Sequence, residues 1–312
     1  MAQDESVFEN DPWPAAEPRL SVLAPFLRDD PRPLLAALDQ EAASLGGAVE
    51  IVLLDDGGGD AAQTGAITGA VRAAAMPARL VSLQQNIGRA KGRNRMAAHA
   101  RGRWFLFLDS DMLPDSPRFL RTYLDLIARR GPAVACGGFS LDQTPRRREH
   151  ALHRHMALAT DCTPATIRRR TPEKHVFTSN LLVRRDVFES ETFDERFAGW
   201  GWEDVEWAMR VARHRTILHI DNTATHLGLD TAAVMAVKYE QSVDNFARVV
   251  AGYRATVASY PSYRAARLLK RLPGRAVWRA GLKSLALAEP FPLSARAFAM
   301  RLYRAALYAD VV

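Results

Sequence analysis

Cysteine is nearly absent: Cys136 and Cys162 are the only two in 312 residues, and no CxxC or Cys/His cluster accompanies them. A disulfide framework and a structural zinc site are thereby excluded, and reduced thiols in core or loop positions are expected. Long apolar runs are missing as well. No stretch approaches the roughly 18 to 20 apolar residues of a membrane-spanning helix. The start, Met1 to Pro18, is acidic and proline-bearing rather than basic and then apolar, so no secretory signal is read there and a cytoplasmic protein is expected. A glycine-rich dinucleotide fingerprint is also lacking, because Gly57-Gly-Gly-Asp60 is too short and misplaced, which argues against a dehydrogenase. No internal repeat appears at solenoid periods.

What is present is a chain with 48% hydrophobic and 25% charged residues, enough to bury a substantial core at the upper size of one domain plus an appendage. The net charge of +7 is unevenly placed. Arg264 to Arg304 holds ten Lys/Arg and one acid, Glu289, for a local +9, so the rest of the chain carries about −2. An anionic partner should therefore meet the C-terminal region.

Residues 1–17 mix acids, Pro and Trp without periodicity and read as a loose arm. Short apolar runs then alternate with helical stretches. Strands are expected at Leu20 to Ala24, Val49 to Leu54, Arg79 to Leu83 and Trp104 to Leu108, with helices over 32–45, 60–75 and 88–101 between them. That rhythm predicts βαβ units, hence an α/β fold with a mostly parallel central sheet flanked by helices. Further strands are expected at Ala133 to Phe139, His175 to Val183 and Thr216 to Ile220, and the basic segment carrying Arg146 to Arg148 and Arg168 to Arg170 reads as a mobile cover. Strand signals stop near residue 231. The domain reading is an arm at 1–17, a catalytic domain at 18–230 and a basic, amphipathic helical extension at 231–312.

In an open α/β sheet, ligands bind beyond the carboxyl ends of the strands. Two acidic pairs stand there: Asp55 and Asp56 after Ile51-Val-Leu-Leu54, and Asp109 and Asp111 after Trp104-Phe-Leu-Phe-Leu108. Carboxylates that end buried strands need a donor, a cation or water, so they should point into a cleft. The Asp109-Ser110-Asp111 spacing would put both carboxylates on one side of an extended backbone, where they could share a divalent ion with the phosphates of a ligand.

Asn86-Ile-Gly-Arg-Ala-Lys-Gly-Arg-Asn94 and Gly102-Arg-Trp-Phe-Leu-Phe-Leu-Asp-Ser-Asp111 resemble the signature of family 2 glycosyltransferases. So do Leu20-Ser-Val-Leu-Ala-Pro25, Glu50-Ile-Val-Leu-Leu-Asp-Asp-Gly57, Thr178 to Phe188, and Phe193 to Glu206 with its Gly199-Trp-Gly-Trp-Glu-Asp204, all in family order over roughly 20–228. The resemblance implies the GT-A fold and an inverting, metal-dependent transfer of a hexose or N-acetylhexosamine. Donor and acceptor would be a UDP-sugar and a glycan or lipid-linked saccharide, in cell-surface polysaccharide synthesis.

The same resemblance assigns residues. Asp204 would be the general base, with Glu203 binding the acceptor or holding the base. The donor nucleotide would be contacted by Pro25, Phe26, Arg28, Asp55, Asp56, Asn86, Arg93, Asp109 and Ser110, although Phe26-Leu-Arg28 departs from the family's usual residues. Asn180, Trp200, Gly201 and Trp202 would meet the acceptor or sugar. Asp109, Asp111 and His226 would hold Mn²⁺ or Mg²⁺. Arg89, Lys91 and Arg95 read as solvated helix charges, and His175 and His219 as core or loop residues. The basic helices with Leu268, Leu269, Leu272, Val277, Trp278, Leu282 and Leu285 fit either an anionic membrane surface, with the protein peripheral on the cytoplasmic face of the inner membrane, or packing on the catalytic domain. Two other readings stand beside the transferase: a sugar-phosphate nucleotidyltransferase, which would want a basic glycine-rich loop where Pro25-Phe-Leu-Arg-Asp-Asp30 stands, and a non-catalytic nucleic-acid binder. The latter has only charge in its favour, so no nucleic-acid partner is expected.

Overall fold

The apolar runs that read as strands assemble into an eight-stranded sheet in the computed structural model, which describes residues 5–58 and 60–312. Its strands are β1 Glu5–Glu9, β2 Leu20–Phe26, β3 Val49–Asp55, β4 Ala78–Leu83, β5 Trp104–Phe107, β7 Val134–Cys136, β9 Leu181–Arg184 and β10 Ile217–His219, in the order β1-β4-β3-β2-β5-β9-β7-β10. The run β4-β3-β2-β5 is parallel, β9 is antiparallel to both β5 and β7, and β10 lies parallel on β7. A second sheet joins β6 Met112–Pro114, β11 Ala224–His226 and β8 Phe139–Ser140 in the order β6-β11-β8.

The central strands are apolar on both faces because the sheet is covered on both. Leu20, Val22, Ala24 and Phe26 of β2 enter one core cluster with Val49, Ile51 and Leu53 of β3, while Leu23, Val52 and Leu54 enter the opposite one. Helices Arg32–Ala42, Ala61–Ala73 and Arg89–Ala98 occupy the crossovers, as expected. Asp60 caps the second of these, accepting from the backbone N–H of Ala62 at 3.0 Å and Gln63 at 3.1 Å.

Three expectations change. The loose arm at 1–17 lies outside the described residues over 1–4, and beyond that it is ordered structure. All of β1 pairs antiparallel with Arg79 to Leu83 of β4, and the Asn10 side chain bonds the backbone of Ala74, Met76 and Ala78. The Trp13 ring is buried under the guanidinium groups of Arg79 and Arg101, 4.3 and 4.0 Å from its centroid. Ala133 to Phe139 is two short strands in different sheets, because Gly137-Gly138 breaks the run and Gly138 has φ 78°. His175 to Val183 is two turns of 3₁₀ helix followed by β9.

The basic segment also differs from a simple cover. The Arg168 side chain is fully buried and donates to the carbonyls of Thr163, Cys136, Gly137 and Ile220, closing the backbone around the Gly-Gly break.

The chain divides into two compact units. The first contains the chain through Thr144, Cys162–Glu195 and Trp207–Gly228, and holds both sheets. The second contains Pro145–Asp161, Arg196–Glu206 and Leu229–Val312, so the helical part is not the expected 231–312 alone but draws in two upstream segments. Its helices are Ala151–Thr160, Ala232–Gln241, Val243–Val257, Pro261–Leu269, Arg275–Leu287 and Leu293–Tyr308, and the first, second, fifth and sixth of these pack around Leu152, Met156, Met235, Ala236, Met300 and Tyr303. Among the described residues no helix is long and apolar enough to cross a membrane.

Candidate active site

In the first unit the polar residues gather where the parallel strands end. Asp55 is the last residue of β3; its Oδ1 accepts from Gly58 N at 2.8 Å and its Oδ2 from Thr64 Oγ1 at 3.1 Å. It holds the loop that leads into helix Ala61–Ala73. Asp56 accepts from the backbone N–H of Ile87 at 2.9 Å and Gly88 at 3.2 Å, binding the segment that opens helix Arg89–Ala98. Burial raises the Asp56 pKa above the ordinary carboxylate value, outweighing the two N–H groups that favour its charged form. Asn86 and Arg28 are exposed, Pro25 is half-buried, and the carbonyl of Arg28 accepts from Gln63 Nε2. Phe26 is only 4% exposed, because strand alternation turns it into the core with Val22 and Ala24, so its ring is not an open surface for a base.

Past β5 the chain turns. Met112 N donates to Asp109 O at 3.1 Å, so Asp109 and Asp111 flank a turn rather than lying on one side of an extended strand. Their carboxylates have different partners. Asp109 Oδ1 receives Arg93 Nη2 at 2.6 Å, and Asp109 Oδ2 has Arg89 Nη2 at 3.8 Å. Burial opposes the charged form of Asp109, but the field of Arg93, with Arg89 and His226, prevails and holds the carboxyl below its usual value. Asp111 Oδ2 meets His226 Nε2 at 3.2 Å. Strand register causes this meeting, since His226 of β11 stands opposite Met112 of β6, one residue past Asp111, and Leu227 N donates to Asp111 O. A Cβ on Gly228 would fall 1.9 Å from Asp111 Oδ2, so only glycine leaves that carboxylate its place.

Asp109, Asp111 and His226 therefore do not gather as three ligands, and among the described residues no group of three His, Cys, Asp or Glu side chains could hold a metal. The residues fit a cation in a smaller set. Asp111 and His226 offer one carboxylate oxygen and one imidazole nitrogen, and Mg²⁺ or Mn²⁺ in phosphate chemistry takes one or two protein ligands, completing its shell from phosphate oxygens and water.

Ser110 and Asn180 are buried. The Asn180 amide donates to Gly138 O and Asn222 O at 2.8 Å each and accepts from Tyr123 Oη at 2.6 Å, which engages it fully in joining β9 to the neighbouring turn. His219 is likewise a core residue, 1% exposed. Arg89 was the one undervalued residue: it stands one helical turn before Arg93, so the i, i+4 spacing on helix Arg89–Ala98 was the signal that both guanidiniums face Asp109.

The second unit holds the Gly199-Trp-Gly-Trp-Glu-Asp204 segment. Gly199 and Gly201 have φ 71° and 87°, and Trp202 has φ 76°, a left-handed conformation that costs a bulky residue on the order of 1–3 kcal/mol. Packing maintains it. Trp202 Nε1 donates to Tyr308 Oη at 2.8 Å, its ring lies 4.8 Å from that of Phe246, and Asn245 Nδ2 donates to Ala198 O and Gly201 O at 2.9 Å each. Trp202 is thus a buried anchor and not an open stacking face, whereas Trp200 keeps a partly exposed ring beside Tyr239. Helix Glu203–Val211 begins directly after, with Glu203 buried and Asp204 partly exposed in its first turn, where carboxylates are favoured by the helix dipole.

Residues 21–191 match the model of the glycosyl transferase family 2 domain, which is more than half of the chain. The protein belongs to that family. It is a glycosyltransferase with an α/β fold of the GT-A kind. Readings as a nucleotidyltransferase or a non-catalytic nucleic-acid binder give way to this one.

Among solved structures, the chain is similar to the mannosyltransferase PcManGT from Pyrobaculum calidifontis, in complex with GDP-Man and Mn²⁺, at 18% identity with a TM-score of 0.55, covering 96% of this chain and 89% of that one. It is also similar to residues 1–349 of S. aureus TarS at 18% identity with a TM-score of 0.50, covering 92% and 89%. No curated protein sequence matches it.

Proposed function

We propose that this family 2 enzyme is an inverting hexosyltransferase that moves a hexose or N-acetylhexosamine from a UDP-sugar to a glycan or polyprenyl-linked saccharide, in the synthesis of cell-surface polysaccharide. The observation that supports it is the set of charged groups beyond β3 and β5: the Asp56 carboxylate, the Arg93–Asp109 pair and the Asp111–His226 pair. Fixed carboxylate, guanidinium and imidazole groups at strand ends are what a nucleotide diphosphate and its counter-ion require.

In this reading Asp56 shapes the loop that receives the nucleoside, and Arg93 with Arg89 sets the field in which the diphosphate lies. Asp111 and His226 would hold a divalent cation, whose chemistry is to neutralise the departing diphosphate. PcManGT, of the same fold, was captured with a nucleotide sugar and Mn²⁺. Trp200 offers the acceptor saccharide an apolar face. Asp204 takes the acceptor hydroxyl proton as that oxygen bonds to the anomeric carbon. The bond from that carbon to the phosphate oxygen breaks with inversion, and the nucleoside diphosphate leaves with the electron pair. Glu203 positions the base or the acceptor. A lipid-linked acceptor confines the enzyme to a membrane surface, which agrees with a peripheral protein on the cytoplasmic face of the inner membrane.

A panel of UDP-, GDP- and dTDP-sugars, each with Mn²⁺ or Mg²⁺, tests the donor through protection against thermal unfolding, since a ligand of the folded state raises its stability. UDP-sugars should protect, and only with the cation present. Asp204→Asn should lower transfer at least about 100-fold while nucleotide binding persists. Undiminished turnover in that variant removes Asp204 from the mechanism.

A further inference from the structure

The segment from Pro261 to Ala288 contains seven Lys/Arg, namely Arg264, Arg267, Lys270, Arg271, Arg275, Arg279 and Lys283, and no acid. Its two helices, Pro261–Leu269 and Arg275–Leu287, divide their apolar residues in an unusual way. One set packs inward: Tyr263, Ala266 and Ala286 are buried, and Leu282 and Leu285 lie against the core of the second unit. The other set faces out around the turn between the helices. Leu268 is 65% exposed, Leu272 40%, Val277 76% and Trp278 54%. Arg267, Lys270, Arg271 and Arg275 are exposed among them.

We propose that this helix–turn–helix tip docks on the anionic phospholipid surface of a membrane, with Leu268, Leu272, Val277 and Trp278 entering the headgroup layer and the surrounding Arg and Lys side chains facing the phosphates. Four large apolar side chains grouped at one turn cost free energy while exposed to water, and the basic residues interleaved with them lower the energy of approach to a negative surface. Tryptophan suits the boundary, with an apolar ring and one N–H donor, and Arg and Lys stems can lie along the apolar layer with their charges outward. Because no described helix can cross a bilayer, the segment would lie in the plane of the interface.

Two other occupants fit less well. A second copy of the chain would set seven cations against seven. A nucleic acid would satisfy the cations and could stack a base on Trp278, but it would leave Leu268, Leu272 and Val277 without an apolar partner.

The chain itself compensates only part of the charge. Asp310 pairs with Arg275 and Arg279, Glu240 pairs with Lys283, and Lys270 Nζ donates to Val312 O. Arg264, Arg267 and Arg271 are therefore the cations whose charge is most available to lipid.

The test is flotation of the full chain with vesicles of phosphatidylcholine, with and without phosphatidylglycerol. The protein should float with the anionic vesicles, and rising salt should weaken the association. Val277→Ser with Trp278→Ser, and separately Arg267→Glu with Arg271→Glu, should each weaken it at least about ten-fold. Both pairs are exposed, so thermal unfolding should be unchanged and certifies the fold. Failure of the native chain to float, indifference to both double substitutions, or concentration-dependent dimerisation that the substitutions abolish would each overturn the proposal, as would retention on RNA without vesicle binding. The inference is independent of donor, cation and base. A chain that floats but gains no protection from any nucleotide sugar sinks the transferase mechanism and leaves the docking surface standing.

Discussion

His219 is a buried imidazole whose two ring nitrogens have opposite duties. Nδ1 accepts from Arg168 Nη1 at 3.0 Å, so Nε2 carries the proton and donates to Pro172 O at 3.0 Å. Burial, with Arg168 and nearby His175 and Arg169 adding to it, lowers the pKa from 6.5 to about 4 against the pull of the Pro172 carbonyl. In the unfolded chain the ring protonates near pH 6.5, whereas the folded ring resists until about pH 4. The neutral core therefore contributes full stability above pH 6.5 and loses it as pH falls from there towards 4. By pH 5 the loss should reach about 2 kcal/mol. Urea unfolding at pH 7 and pH 5 should show that fall, and His219→Gln should flatten it. The sequence left His219 as a core or loop residue, and the structure places it in the core. No sign in the sequence marked Arg168, in a run of three arginines, as the buried one, since composition reads such runs as solvent-facing and only the tertiary contact with the Gly137-Gly138 break inverts this.

At the level of elements, the strands and crossovers of the parallel region were readable because their apolar runs are long and the turn signals between them strong. The weak points were pieces two to four residues long. β6, β8 and β11 have no periodicity that a sequence can reveal, yet the pairing of β6 with β11 is what brings His226 to Asp111. The acidic spacing was visible, but the turn that separates the two carboxylates was not, because extended backbone was assumed past Leu108. Gly228 follows from the same pairing. Gly228→Ala puts a methyl group into the Asp111 carboxylate and should lower cation-dependent transfer by about ten-fold or more and raise the Mn²⁺ concentration that transfer requires. Titration of Mn²⁺ against activity in both proteins measures this. Equal cation dependence would separate Asp111 from the metal.

For the molecule as a whole, the boundary expected near residue 231 was drawn where strand signals end, but the second unit is assembled from three stretches of chain. Strand and helix patterns cannot reveal that 145–161 and 196–206 belong with the last eighty or so residues, because membership is decided by side-chain packing between distant segments. Tyr308 is the clearest instance. Its hydroxyl receives Trp202 Nε1, sits 2.8 Å from Ser242 Oγ and takes a hydrogen bond from Arg304 Nε. Tyr308→Phe leaves the buried indole N–H without its acceptor and should reduce stability by about 1–3 kcal/mol in chemical denaturation. Because the released segment leads into Asp204, transfer should fall further than nucleotide binding.

The order of synthesis gives that arrangement a temporal side. β1 through β5 can begin pairing while translation is under way, since each strand needs only neighbours already made. The backbone twist at Trp202 has no such option: Asn245 and Phe246 follow it by about forty residues, and the hydroxyl that holds its indole N–H arrives only with helix Leu293–Tyr308, about a hundred residues later. A polypeptide released early, or clipped within that helix, should therefore retain the sheet and its charged strand ends yet be unable to transfer sugar, so a truncated product would behave as a nucleotide-binding competitor of the intact enzyme.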